Sequence, residues 1–177
     1  DLKNLLNLNK TTIDYAPINA TVLYRNVGYW YETITVNKGK KDNVKEGMLV
    51  MTDKGIIGRI INVSNYSSDI KLLTSSDENS RITVAIETGD SIVYGLISRY
   101  DNINKEILID NITTNIEYKN NMKVITSGLT DSYPRGILVG YVNKIEKDKT
   151  GLSYVVRVKP NADFNNIKYV MILGVIK

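Results

Sequence analysis

By residue type, Ser75-Ser76 and Ser127-Gly128 are candidates for a hydroxyl nucleophile in this 177-residue chain. Serine attacks a carbonyl only when a neighbouring base takes its proton, and near neutral pH that base is usually histidine. The chain contains no His. It contains no Cys either, which removes thiolate nucleophiles, thiolate metal ligands and disulfides together. A Ser-Lys dyad is the remaining route, and no lysine pattern that marks one lies near either serine. A metal would have to be held by oxygen alone. Asp77-Glu78, Asp101-Asn102 and the isolated Asp163 do not have the spacing of a calcium loop and read as surface turns. No Gly-rich loop leads into a helix, so no phosphate cradle is expected. The expectation is a chain with no catalytic residue, no cofactor and no metal, and therefore not an enzyme.

Binding chemistry is the alternative. Tyr24, Arg25, Tyr29, Trp30 and Tyr31 interleave aromatic and basic side chains, as a sheet that stacks single-stranded nucleic acid would. An OB-like barrel binding single-stranded nucleic acid is thus one reading. A core Trp flanked by partly exposed Tyr residues is the other. The net charge is +4, but it is spread out. The one tight run, Lys38-Gly39-Lys40-Lys41, falls where a solvated turn is expected. Twelve Tyr against one Phe favours surfaces that meet another protein, because Tyr joins apolar area to a hydroxyl.

The elements that would position these residues are short. Thr33-Ile34-Thr35-Val36, Arg81-Ile82-Thr83-Val84-Ala85-Ile86 and Val156-Arg157-Val158-Lys159 alternate with period two. Asp53-Lys54-Gly55 predicts a hairpin between Leu49-Val50-Met51 and Ile56-Ile57. Thr88-Gly89-Asp90, Asp101-Asn102-Ile103-Asn104 and Asp148-Lys149-Thr150-Gly151 mark further turns. Many short strands at regular spacing predict a sandwich or barrel. Only the start differs: Leu2, Leu6, Asn9 and Ile13 have heptad spacing, which predicts a short helix or the end of a coiled coil over 1–15. The longest apolar stretch, Tyr169 to Ile176, is too short to span a bilayer as a helix.

An internal echo runs through the strands. Met48-Leu49-Val50-Met51-Thr52 leads to Gly55-Ile56-Ile57-Gly58, and Met122-Lys123-Val124-Ile125-Thr126 leads to Gly136-Ile137-Leu138-Val139-Gly140. Gly inside a strand permits a sharp bend or a close backbone approach, as barrel corners require. Two copies of the pattern imply two similar small barrels.

The same segments resemble a known family. Ala20-Thr21-Val22-Leu23-Tyr24-Arg25, Ile34-Thr35-Val36-Asn37-Lys38-Gly39 and Ser67-Ser68-Asp69-Ile70-Lys71-Leu72 follow its order. Most specific is Thr126-Ser127-Gly128-Leu129 with Tyr133-Pro134-Arg135-Gly136-Ile137-Leu138-Val139-Gly140, and Val158-Lys159-Pro160 with Asp163-Phe164 follows near the end. Together they are similar to the extracytoplasmic domain of the MreC family of bacterial rod-shape-determining proteins. Tyr133 stands where the family usually has Phe, and Met122-Lys123-Val124 lacks a preceding Gly-Asp.

The resemblance implies an all-β fold of two six-stranded β-barrels with protease-like topology but no catalytic residues, preceded by a short helix. It implies barrel one at 16–74 plus 152–177 and barrel two, inserted, at 75–151. It further implies a non-enzymatic scaffold of the cell-elongation complex at the extracytoplasmic face of the cytoplasmic membrane, held by an anchor upstream. The implied partners are class B penicillin-binding proteins, MreD, RodA and the MreB complex, with self-association as dimer or filament and no nucleic acid. Incompletely closed barrels would leave strand edges for partners to pair with. By residue type, the expected partner-binding positions are Tyr29, Tyr31, Tyr133 and Pro134.

Overall fold

Alternating Val, Ile and Thr, punctuated by Gly and Asp turns, produces strands throughout. The computed structural model describes residues 17–27, 32–75, 82–130 and 133–174. Among them the strands are β1 (Ile18–Val27), β2 (Glu32–Val36), β3 (Leu49–Met51), β4 (Ile56–Val63), β5 (Ser68–Leu72), β6 (Thr83–Glu87), β7 (Ile92–Asp101), β8 (Glu106–Ile112), β9 (Lys123–Thr126), β10 (Leu138–Lys147), β11 (Tyr154–Pro160) and β12 (Tyr169–Leu173). The Lys-rich run forms the expected turn, a 3-10 helix at Lys40–Asp42. The Asp42 carboxylate accepts the Gly39 N–H at 3.1 Å and pairs with Lys38 at 3.0 Å. The expected helix over 1–15 lies outside the described residues.

The strands close two antiparallel barrels, one in the order β1-β12-β3-β4-β5-β2 and the other β10-β11-β8-β7-β6-β9. The two rings are equivalent if β12, β1, β2, β3, β4 and β5 are matched with β6, β7, β8, β9, β10 and β11. The internal echo is therefore structural. Val50 pairs with Gly58 on β4, and Val124 pairs with Gly140 on β10. Met48 O accepts the Ile60 N–H and Met122 O accepts the Val142 N–H, both at 2.9 Å. Each Met sulfur also accepts the N–H three residues earlier, from Lys45 and Lys119. A Cβ at Gly58 would overlap the Lys71 carbonyl oxygen on β5, and one at Gly140 the Lys159 carbonyl oxygen on β11. Both glycines let neighbouring backbones approach more closely than any side chain allows.

This equivalence corrects the expected boundary at 152. Tyr154–Pro160 does not return to the first barrel; it pairs with β10 and β8 and completes the second. Barrel two needs β11 as the counterpart of β5. Barrel one already has five of its own strands and lacks only the counterpart of β6, which β12 supplies between β1 and β3. The expectation of open edges is corrected as well, because both rings are closed. Closure with six strands requires strong coiling. The ten-residue strands β1, β7 and β10 achieve it by giving one half to each neighbour, as β1 does with Ile18–Thr21 on β12 and Val22–Val27 on β2.

One continuous apolar cluster runs through both barrels. It includes Ile34, Val36, Leu49, Ile60 and Ile70 of the first and Val84, Ile86, Ile97, Val124 and Val156 of the second. Each such side chain contributes about 1.5–3 kcal/mol on full burial. On β12, Val170 and Ile172 face this core, so Met171 and Leu173 face outward. Both are nonetheless fully buried, because Ile137 of the second barrel packs on them with Met51 and Tyr169. Asn161, just after β11, adds a hydrogen bond from its Nδ2 to the Lys54 carbonyl. Among the described residues no helix is long and apolar enough to cross a membrane.

Candidate functional site

The two serines have structural surroundings. Ser127 Oγ donates to Thr83 Oγ1 at 2.6 Å and accepts the Leu129 N–H at 3.2 Å. Ser75 Oγ is buried without a hydrogen-bond partner among the described residues, so no base is in reach of it there. Ser76, Asp77 and Glu78 lie outside the described residues. Among the described residues no group of His, Cys, Asp or Glu is arranged to hold a metal. Arg25, expected beside aromatic residues on a nucleic-acid face, is bound through its guanidinium to Glu32 and to the Phe164 carbonyl at 2.5 Å.

The carboxylates that cluster do so around a cation. Arg157 on β11 binds Glu146 on β10 at 2.6 Å, Asp101 on β7 at 3.1 Å and Glu106 on β8 at 3.2 Å. Hydrogen bonds from Asn104, with a further one from Arg157, hold the Asp101 carboxyl well below its ordinary range. Bonds from Lys144 and then Arg157 lower the pKa of the Glu146 carboxyl. Glu146, ahead of the other carboxylates, pushes the Arg157 guanidinium upward. Groups held ionised in this way tie strands together and are poorly suited to exchange protons near pH 7.

Of the expected partner-binding residues, Tyr29 and Tyr31 lie outside the described residues. Tyr133 and Pro134, expected to bind a partner, are buried. Tyr133 is 5% exposed. Its hydroxyl accepts the Thr83 N–H at 2.8 Å and lies 2.8 Å from Thr83 Oγ1. The Pro134 carbonyl accepts the Thr126 hydroxyl at 2.7 Å. Thr126 also accepts the Ile137 N–H on Oγ1 at 3.0 Å. These bonds clamp the loop between β9 and β10 against β6. A polar tip needs a partner when its ring is buried, and Thr83 supplies it.

The clamped loop borders a surface that the sequence reading missed. On β7, Val93 and Ile97 face the core, which turns Ile92, Tyr94 and Leu96 outward. They are 41%, 46% and 46% exposed. Tyr94 is the cross-strand partner of Ala85 on β6, Ala85 of Ile125 on β9, and Ile125 of Leu138 on β10. Four strands thus bring one apolar row into register over about 14 Å, three inter-strand spacings. Ala85 is small and wholly covered between its larger neighbours. Leu129, in the clamped loop after β9, is also 62% exposed. The next row is mixed: exposed Glu87 pairs with Ile92 and exposed Lys123 pairs with Tyr141, which sets two charges beside the apolar row. An apolar centre with a charged rim is the usual anatomy of a protein contact site. The signal was present in Ile92-Val93-Tyr94-Gly95-Leu96-Ile97, where both phases of the alternation are apolar although a half-buried strand needs only one.

Comparison with known proteins agrees with this architecture. The family described as "Rod shape-determining protein MreC, barrel core" matches residues 22–174. The cell shape-determining protein MreC of Listeria monocytogenes is 36% identical over 98% of this chain and 58% of its own length. That of Bacillus subtilis is also 36% identical, over 98% of this chain and 62% of its own. The chain therefore spans about three fifths of the length of these two relatives. A solved Listeria monocytogenes MreC superposes with a TM-score of 0.86 at 34% identity, covering 99% of this chain and 86% of that one. A structure titled as the major periplasmic domain of the cell shape-determining filament MreC gives 0.84 at 28% identity, covering 92% and 97%. A complex between penicillin-binding protein PBP2 and MreC from Helicobacter pylori gives 0.71 at 19% identity, covering 92% and 99%, a likeness of fold. With the match running from β1 past β12, through both rings and the echoed Met and Gly positions, the chain belongs to the MreC family of rod shape-determining proteins.

Proposed function

We propose that this chain is a non-enzymatic scaffold of the bacterial cell-elongation complex. It works at the extracytoplasmic face of the cytoplasmic membrane, tethered there by a membrane anchor. It maintains cell shape by holding class B penicillin-binding proteins on the outer face of β7, β6, β9 and β10. The observation that carries this reading is the in-register row Tyr94, Ala85, Ile125 and Leu138, an apolar face on a closed barrel that has no strand edge to offer. Family membership supports it, as does the fact that the Helicobacter pylori protein is solved with PBP2. Self-association into dimers or filaments, and assembly with MreD, RodA and the MreB complex, belong to the same reading.

Surface plasmon resonance with an immobilised ectodomain of a class B penicillin-binding protein from the same organism tests it. The parent chain binds saturably. A variant carrying Tyr94→Glu and Leu96→Lys loses about thirtyfold in affinity, as removal of a 2 kcal/mol anchor does. Equal binding by parent and variant would sink the assignment of the face. Failure of the parent to bind, together with salt-sensitive capture of single-stranded DNA, would return the nucleic-acid reading.

A further inference from the structure

A second recess lies where the two barrels meet, apart from the apolar face. It encloses about 400 Å³, within the range of sites that hold small ligands or short peptide segments. Tyr100 of barrel two and Phe164 of the connector to barrel one form its aromatic floor, with ring centroids 6.0 Å apart in an edge-to-face arrangement. Pro160 and Ala162 extend the apolar side. Asn102, Thr74 and Asn165 supply polar groups around the rim.

The charge of the recess is unbalanced. Arg25 and Glu32 line it but neutralise each other, and Thr74 donates to the second Glu32 oxygen at 2.5 Å. Asp163 accepts the Asn165 N–H at 2.9 Å and keeps its charge, so the lining holds three cations, Arg25, Lys105 and Lys159, against two carboxylates. Lys105 and Lys159 are exposed, line the recess from the paired ends of β8 and β11, and make no ion pair among the described residues. The lining thus carries a net positive charge, with two ammonium groups beside a partly apolar hollow. The Tyr100 hydroxyl also has no hydrogen-bond partner among the described residues. Burial, then the charges of Glu32 and Asp101, push its pKa upward, so it stays protonated and able to donate.

Both walls are built in advance. The turn that carries Lys105 is fixed by Asp101, whose carboxylate accepts the Ile103 and Asn104 N–H groups at 2.9 and 3.0 Å and the Asn104 side chain at 2.7 Å. Arg157 in turn holds Asp101. The opposite wall is held by Arg25 on the Phe164 carbonyl. Rigid walls avoid the ordering cost that otherwise weakens binding.

From this geometry we infer that the inter-barrel recess binds an acidic peptide segment of a partner protein, with one aromatic or aliphatic side chain on the Tyr100–Phe164 floor and flanking carboxylates on Lys105 and Lys159. The apolar floor favours a peptide over a polyphosphate chain, which has no side chain to place there. The recess acts independently of the face around Tyr94, so the two can engage different parts of one partner or two partners.

Random peptides displayed on phage, selected on the intact chain and counter-selected on a Lys105→Glu/Lys159→Glu variant, test the inference. Both lysines are exposed, and urea unfolding verifies that the variant retains its fold. The expected result is enrichment of Asp- and Glu-rich peptides with one apolar residue. A fluorescein-labelled copy of the enriched peptide binds the parent and the Tyr94→Glu variant alike. It binds the double-lysine variant about tenfold or more weakly and weakens as salt rises. Three results would overturn the inference: no enrichment that depends on the two lysines, equal affinity for parent and variant, or binding of polyglycerol phosphate in place of any peptide.

Discussion

Replacing Gly58 or Gly140 by Ala tests the physical basis of both barrels at once. A methyl at Gly58 overlaps the Lys71 carbonyl oxygen and stands 2.9 Å from its carbon; at Gly140 the Lys159 carbonyl is met in the same way, again 2.9 Å from the carbon. Cβ atoms essentially never come within 3.0 Å of such neighbours. The obstacle is the backbone of the adjacent strand, so no rotamer change can relieve it. Overpacking of this kind costs about 3 kcal/mol, the upper part of its usual range. Loss of glycine's unfolded-state freedom returns about 0.4–1 kcal/mol. The net cost is about 2–3 kcal/mol, or a Tm lower by about 4–12 °C for a chain of this length. Gly151→Ala is the control: its φ of +73° strains Ala, but nothing lies within 4 Å, and about 1 kcal/mol is expected. Urea unfolding followed by far-UV circular dichroism reads all three. Because one apolar cluster spans both barrels, each variant unfolds in a single transition. Gly58→Ala or Gly140→Ala within about 0.5 kcal/mol of the parent would refute the close-approach argument, and a large loss at only one would refute the equivalence of the rings.

Other outcomes follow from the same contacts. Tyr133→Phe keeps the buried ring but strands the Thr83 N–H, so stability falls by about 1–3 kcal/mol in the same urea assay. Arg157→Gln removes a cation that helps hold Glu146 and Asp101 below their unfolded pKa values. A depressed carboxyl stabilises the fold fully above its unfolded pKa of about 4 and loses that contribution as pH falls through the folded value. The stability gap between parent and Arg157→Gln is therefore widest near neutral pH and narrows below about pH 4. A gap independent of pH would contradict the network. Tyr94→Arg places a charge on the apolar row at a side chain that is 46% exposed and abolishes capture of the penicillin-binding protein ectodomain, while the monomer keeps a β-type circular dichroism spectrum.

Local chemistry carried much of the fold. Met48 with Gly58 and Met122 with Gly140 announced two like barrels, because a strand glycine at a corner and a Met-led strand are features of short sequence range. The boundary at 152 was not legible for the opposite reason. Val156-Arg157-Val158-Lys159 reads as a strand in either ring, and only its pairing with Leu108 and Lys144 decides which ring it closes. The partner-binding site was harder still. Tyr133 has the right residue type for an anchor, but Thr83, fifty positions earlier, draws its hydroxyl inward. Arg25 looked free beside its aromatic neighbours until folding brought the Phe164 carbonyl to it across 139 positions. The face around Tyr94 depends on the register of four strands that are not all consecutive in the chain, and alternation within one strand cannot supply that register.

Methyl cross-saturation by NMR, with the Ile and Leu methyls of this chain observed on an otherwise deuterated background while a protonated ectodomain of a class B penicillin-binding protein is irradiated, reads the contact face atom by atom. The account predicts attenuation at Ile92, Leu96, Ile125, Leu129 and Leu138, with the methyls of Leu23 in barrel one unaffected. Attenuation at Leu23 with none along the row from β7 to β10 would contradict it.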